Sequence, residues 1–316
     1  PCTRATGRPP RTWNRNRVSK PGPASPALFF VQYWIIQTLN SLALGGLLFL
    51  LAAGFSLIFG LMRIANLTHG SLYMLGAYVG VTVLKFVPNL WLAALIGGAV
   101  IAVFGGLIER FILRALAGNA LGQVLVTLGI SFIVADFCLI VWGGDPIPVP
   151  TPPALQQPLR LGDVSFPTYR LVVLAIAIVT ATALYLLMER TRIGAMIRAG
   201  VDDMQMARAV GIPVSKLFTT VFCLGAALAG AGGIIGGPIM SAYPGLDADM
   251  LPLALIVVML GGVGSLLGAF VGSFLIGAIY TFGTALLPDL AYVILFLPMI
   301  VVIAFRPRGL FGRQTV

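Results

Sequence analysis

The residues able to do acid–base, nucleophilic or metal chemistry are few and scattered. There is one histidine, His69, so no His cluster can hold a metal, and no Ser-His-Asp triad assembles on its own helix. The three cysteines, Cys2, Cys138 and Cys223, are odd in number, widely spaced and mostly inside apolar runs. That pattern fits neither a disulfide framework nor a metal site. None of the lysines, Lys20, Lys85 and Lys216, follows a glycine, whereas a phosphate-cradling loop needs Gly-Lys-Ser/Thr. ATP hydrolysis by that route is excluded, and any ATP-driven work must draw on another chain. The acids fall mainly at the ends of apolar segments. Asp136 alone lies well inside one, either close to an interface or paired across helices. No paired acid and base is in sight, and no cofactor is expected.

Two polar features remain. Asn66 and His69 flank a break between apolar segments. They either cap exposed backbone and pack the turn, or line a passage, since polar groups at membrane depth are functional candidates. Asn66-Leu67-Thr68 also matches a glycosylation acceptor, read as a chance match. The second feature is the polar, helix-forming stretch from Glu189 to Lys216, far longer than a connection needs. Arg198 and Asp202 are four apart and should pair along a helix. Met196, Ile197, Val201, Met204 and Val210 give a partial apolar face, and Gly211 followed by Pro213 reads as a helix stop. A short amphipathic helix of this kind rests on lipid or docks into a partner's groove. The adjacent acids Asp202 and Asp203 argue against a purely anionic-lipid partner.

The elements that must hold these residues are apolar helices. Of the 316 residues 59% are hydrophobic and 9% charged, against roughly a quarter charged in soluble domains. Leu28 to Met62, Phe86 to Ile108, Leu171 to Met188 and Leu217 to Leu246 contain no Asp, Glu, Lys or Arg. Each reaches or approaches the ~20 residues that cross a bilayer core. Met250 to Pro288, also free of charge at 39 residues, suits two shorter spans joined near Gly261 to Ser265. The fold class is therefore all-α, a polytopic membrane helix bundle. Spans are expected near 33–60, 69–84, 90–108, 121–142, 171–188, 216–238, 250–261, 265–287 and 290–305, eight or nine in all depending on whether 250–261 crosses fully.

The net charge of +10 sits largely in short loops, which reports topology and contact with lipid heads rather than nucleic acid. One set of alternate loops holds Arg63, Arg110, Arg114, the five basic residues from Arg190 to Lys216, and Arg306, Arg308 and Arg313. The other holds Lys85, Arg160 and Arg170, so the count is eleven against three. The first set is expected to be cytoplasmic, and the Pro-rich loop Gly143 to Pro167 to face the other side. The tail 1–27, basic, Pro-rich and without an initiating Met, conflicts with this alternation. It is expected to be disordered, and either is not native to the chain or shows a span to be miscounted.

Gly70-Ser71-Leu72, continuing to Gly76-Ala77-Tyr78-Val79-Gly80, recurs two residues shorter as Gly264-Ser265-Leu266, continuing to Gly268-Ala269-Phe270-Val271-Gly272. Each copy follows an apolar segment and a break. An internal repeat is expected, and transporters place their pathways between such repeats; the alternative is convergent use of small residues at helix contacts. The spacing puts Gly76 with Gly80, and Gly264 with Gly268 and Gly272, on shared helix faces.

Several ordered landmarks carry a resemblance: Gly60-Leu61-Met62-Arg63-Ile64-Ala65-Asn66-Leu67-Thr68-His69-Gly70, the pair Glu109-Arg110, the run Thr191-Arg192-Ile193-Gly194 with Arg198-Ala199, Asp203, Ala207 and Gly211-Ile212, the run Leu260 to Ser265, and the ending Arg306 to Gly312. From about Gln37 to Gly312 the chain resembles the permease subunits of branched-chain amino-acid ABC importers. Leu67 and Thr68 depart from the usual Asn-Phe-Ala-His-Gly. The resemblance implies a permease domain over 28–312 with a C-terminal tail 313–316, in a bacterial inner membrane. It implies a cytoplasmic coupling loop over 191–213, with Thr191, Arg192, Gly194, Arg198, Ala199, Asp203, Ala207 and Gly211 meeting an ATPase. It further implies a second related permease, two ATP-binding subunits and an extracytoplasmic solute-binding protein that delivers the amino-acid substrate. Asn66, His69, Gly70, Gly76, Gly264 and Gly268 are the pathway or gate candidates. Relatives for urea or short amides share the motifs, and an ion-coupled carrier is the runner-up of another class.

Overall fold

The computed structural model describes residues 26–63, 65–161, 164–306 and 309–311. The expected tail, up to residue 25, lies outside the described residues, as do Ile64, Arg308, Gly312 and the C-terminal tail 313–316. The chain is mostly helical. In order come α1 Pro26–Met62, α2 Thr68–Phe86, α3 Leu90–Leu107, α4 Ala120–Trp142, a hairpin of β1 Pro158–Leu161 and β2 Val164–Pro167, α5 Thr168–Arg190, α6 Arg192–Asp202, α7 Met204–Ala209, α8 Val214–Met240, α9 Leu246–Gly261, α10 Leu266–Leu286 and α11 Ala291–Phe305. The strands pair antiparallel, with Leu159 opposite Phe166. Six helices, α1, α3, α4, α5, α8 and α10, are long and apolar enough to cross a membrane. The other long helix, α2, begins with Thr68-His69-Gly70-Ser71 and is almost wholly buried over its first fourteen positions.

Helix starts follow side-chain chemistry. Asn89, Asn119, Thr191, Asp203 and Ser265 each accept a hydrogen bond from a first-turn amide of the helix that follows. Such caps satisfy amides that have no partner within the helix.

At the centre, α8 lies antiparallel between α1 and α3. Gly54 of α1 abuts Gly225, where an added Cβ would sit 2.5 Å from the Gly225 carbonyl oxygen. Gly105 of α3 abuts Ala226, and Gly230 abuts Ile101. The side chain of Gly76 on α2 would strike the backbone of Gly230. Small residues replace side-chain interdigitation here and let backbones approach closely, as helices in lipid require.

The two ends of the bundle are distinct. At one, Gly60 meets Gly264, the Arg63 guanidinium donates to the Val201 carbonyl (3.1 Å), and the amides of Leu310 and Phe311 donate to the carbonyls of Leu260 and Gly261 (2.8 and 3.0 Å). At the other, Ile147 and Ala242 exchange amide–carbonyl bonds of 2.8 and 3.0 Å, and Trp34 stacks on Phe282. The loop after α4 and the segment after α11 therefore lie at opposite ends. Both α2 and α10 run from the Arg63 end toward the other.

Three expectations are corrected. The amphipathic stretch is two helices rather than one, because Asp203 leaves helical geometry to cap α7. Arg198 does not pair with Asp202; it reaches back to the Glu189 carboxylate (3.5 Å) and the Met188 carbonyl, since α6 folds against the end of α5. Gly264 does not share a helix face with Gly268 and Gly272. It precedes α10 in a turn with φ 73°, the left-handed region that favours glycine.

Candidate functional site

The first site is a polar seam inside the bundle. His69 is fully buried, and its Nε2 lies 3.0 Å from the Leu51 carbonyl. A carbonyl only accepts, so Nε2 carries the proton and Nδ1 is left without a partner. Leu51 stands eleven residues before the end of α1, roughly 16 Å up the helix at 1.5 Å per residue. Asn66, Thr68 and His69 are thus buried inside the bundle, and α2 starts deep rather than at the surface. Asn66 is buried and accepts from the Thr68 amide (3.2 Å), while its Nδ2 has no partner.

Facing this start is α4, a helix turned inside out. Gln123, Thr127, Ser131, Val134 and Cys138 are its buried positions, one stripe at helical spacing, while Leu125, Phe132, Ile133 and Ile140 are exposed. Thr68 Oγ1 donates to the Thr127 carbonyl (2.9 Å), and the Leu67 amide to Thr127 Oγ1 (3.3 Å). The Ser71 and Ser131 hydroxyls are 2.6 Å apart, and Ser71 also donates to the Asp247 carboxylate of α9 (3.1 Å). Gly70 lets α9 close in, since an added Cβ would lie 2.8 Å from the Asp247 carbonyl oxygen. Sequence reasoning missed Gln123, Thr127, Ser131 and Asp247. The signal for the first three was a polar stripe every four residues in an otherwise apolar span.

Asn66, His69, Gly70 and Gly76 are brought together along α2. Gly268 is elsewhere, pressed on Gly261 of α9, and Gly264 sits at the end turn against Gly60. Asp136 is exposed on the outer face of α4. Among the described residues no group of three His, Cys, Asp or Glu gathers to hold a metal.

The second site is the α6–α7 unit, at the Arg63 end. Its motif residues mostly build it. Thr191 caps α6, Gly194 lies where a side chain would strike the carbonyls of Leu187 and Met188, and Arg198 ties α6 to α5. Asp203 caps α7 through the Gln205 and Met206 amides (2.9 Å each), Ala207 is buried, and Gly211 takes φ 86° as the chain leaves α7. Ala199 is half-buried and Arg192 exposed. The apolar side chains facing outward are Ile193, Met206 and Val210, the last 68% exposed, with Asp202, Gln205 and Arg208 beside them.

Apolar helices packed through small residues, a buried polar seam and an external helical pair define a multi-pass membrane protein. Residues 37–303 match the model of the branched-chain amino acid transport system / permease component family, and the chain belongs to that family. It is similar to the high-affinity branched-chain amino acid transport system permease protein BraD of Pseudomonas aeruginosa, 28% identical over 303 residues, covering 90% of this chain and 98% of the relative. It is likewise similar to LivH of Escherichia coli, a permease protein of the same description, 27% identical over 301 residues and covering 90% and 97%. A more distant likeness is to the autoinducer 2 import system permease protein LsrC of an Enterobacter, 29% identical over 262 residues, covering 79% and 72%. No solved structure matches the chain. The protein is thus a transport permease subunit and not an enzyme.

Proposed function

We propose that this chain is a permease subunit of an ATP-driven importer in a bacterial inner membrane, passing branched-chain or other hydrophobic amino acids to the cytoplasm. It works beside a second related permease, two cytoplasmic ATP-binding subunits and a solute-binding protein that delivers substrate from outside. The observation that carries this reading is the α6–α7 unit. It stands at the Arg-rich end of the bundle and leaves Ile193, Met206 and Val210 exposed among the described residues. A partner's groove would cover that face, and the ATP-binding subunit is the partner that the family supplies.

In this reading α2, α9 and α11 also cross or enter, giving nine spans with the Arg63 end cytoplasmic. The parallel run of α2 and α10, each after a helix and a break, supports the internal repeat. The passage borders the seam of Asn66, His69 and Ser71. Asp136 is exposed on α4, away from the seam, and the carboxylate that does reach the seam, Asp247, is held by Ser71.

The test is Val210→Asp and Met206→Asp in the assembled importer. Both substitutions place charge on an exposed face, so the chain inserts normally, while binding-protein-stimulated ATP hydrolysis and uptake fall together. Parental uptake in both variants sinks the docking reading.

A further inference from the structure

The start of α8, the helix that follows the α6–α7 unit, is tied to the end of α3 by the more buried of the two ion pairs found among the described residues. After Leu107, α3 widens into a π-helical turn, Ile108–Leu113, in which the Arg114 amide bonds the Glu109 carbonyl. In an α-helix two residues five apart point about 140° away from each other. The wider π turn brings them onto one face, and π turns of this kind are frequent at functional sites. The result is an ion pair that α-helical spacing does not offer. Arg114 Nη2 lies 3.1 Å from Glu109 Oε2, and the Glu109 side chain is only 3% exposed.

The pair grips α8. Arg114 Nη2 donates to the Ser215 carbonyl (2.9 Å) and to Thr219 Oγ1 (2.6 Å), and the Thr219 hydroxyl donates to Glu109 Oε2 (2.6 Å). Ser215 is the second residue of α8, five positions after Val210. Just beyond the cluster Gly106 meets Cys223 and Gly105 meets Ala226, so the α3–α8 seam continues without a gap into the centre. Charge-assisted bonds of this kind are the strong ones; the buried Glu109 carboxylate is held by Arg114 and Thr219, while the Arg114 side chain is 37% exposed and its Nε has no partner among the described residues. A cluster placed here holds the first turn of the central helix to α3 just past the external helical pair.

We infer that Glu109, Arg114 and Thr219 form a clamp that makes displacement of the α6–α7 unit move α3 and α8 as one body, so that the three are positioning residues for coupling ATP hydrolysis to opening of the passage. The inference rests on the docking reading above. With the clamp loosened, a push on α7 tilts the start of α8 alone and dissipates before the Gly225 to Gly233 contacts with α1, α2 and α3.

The experiment measures substrate taken up per ATP hydrolysed, with the complete importer in liposomes, for Arg114→Lys, Thr219→Val, Thr219→Ser and Glu109→Gln. Arg114 makes all these contacts through Nη2, and a lysine ammonium, one bond shorter along the side chain, keeps the charge without reaching that point. The expected result is a fall of about tenfold in uptake per ATP for Arg114→Lys, Glu109→Gln and Thr219→Val, with hydrolysis continuing and Thr219→Ser close to the parent. A merely structural cluster would lower inserted protein, hydrolysis and uptake together and leave their ratio unchanged, and that outcome overturns the clamp. An unchanged ratio in all four variants overturns it too. Val210→Asp run alongside separates the two readings: if it impairs stimulated hydrolysis while the clamp variants keep the parental ratio, only the clamp fails. If it behaves as the parent, the docking reading fails first.

Discussion

His69 on α2 reaches the carbonyl of Leu51, although Leu51 lies well inside α1 and only the short stretch 63–67 separates the two helices. The contact requires the chain to re-enter the bundle before α2 begins. It sets the depth of the helix that carries Ser71 and Gly76, with Asn66 just ahead of its start. Phe55 packs on the other side of the imidazole, ring centres 5.4 Å apart, so the ring is held by packing and by one hydrogen bond.

Replacing His69 should therefore act first on the seating of α2. For His69→Leu the bond to Leu51 is lost and the fold loses on the order of 1 kcal/mol, read as a lower midpoint in thermal unfolding of the detergent-solubilised protein. His69→Gln, whose amide can still donate, should recover part of it. If both variants unfold as the parent does, the Leu51 contact does not set the depth of α2.

The inside-out character of α4 gives a second expectation. Thr127 and Ser131 bind α2 through side-chain hydroxyls, whereas Leu125 and Ile133 face outward. Ser131→Val removes the partner of Ser71 beside Asp247, and Thr127→Val removes the acceptor for the Leu67 amide. Thr127→Val should cost about 1–3 kcal/mol because the Leu67 amide loses its partner, and Ser131→Val about 1 kcal/mol because Ser71 keeps the Asp247 carboxylate, while Leu125→Ala and Ile133→Ala change little. Chemical denaturation of the four variants checks this, and equal loss at outer and inner positions would contradict the orientation of α4.

Much of this was legible in the sequence, for reasons that particular residues make plain. Most helix ends could be placed to within a few residues because charges stop at the bilayer boundary, although α1 begins at Pro26, seven residues before the expected start. The α6–α7 region stood out because a polar stretch between two apolar spans needs a reason. Its interior geometry did not, because Arg198 can reach both Asp202 and Glu189, and only the fold of α6 against α5 selects the second. Glu109 and Arg114 were hidden for a different reason. Five residues apart, they pair only once the helix adopts a π turn, and α-helical spacing gives no warning of that. Asp247 was hidden because its partner Ser71 is remote in sequence, and single-chain patterns do not report pairings of that range.

Sidedness is testable directly. The Ile147–Ala242 bridge and the Leu310–Leu260 bond mark opposite ends of the bundle. In a background lacking Cys2, Cys138 and Cys223, a cysteine at Asp145 should react with an impermeant thiol reagent from outside the cell. One at Phe311 should react only after permeabilisation. Labelling of both from the same side would remove the cytoplasmic assignment of α6 and α7.

The glycine contacts give the sharpest discrimination between central and peripheral packing. Gly76 faces the backbone of Gly230 on α8, and Gly268 faces the carbonyl of Gly261 on α9. Neither neighbour is a side chain that can swing away, so Gly76→Leu and Gly268→Leu must separate helices. Overpacking typically costs about 1–3 kcal/mol, enough to shift a conformational equilibrium roughly tenfold without unfolding the bundle. Gly129 on α4 has nothing within 4 Å of an added Cβ and provides the control, since leucine suits both a helix and lipid. Uptake normalised to inserted protein should fall about tenfold or more for Gly76→Leu and remain near the parent for Gly129→Leu. Gly268→Leu distinguishes two versions of the repeat. Impairment equal to that of Gly76→Leu means that the α9–α10 contact moves with the passage as the α2–α8 contact does. Parental uptake confines the working contact to α2 and α8, and the two Gly-Ser-Leu runs then share sequence without sharing a role.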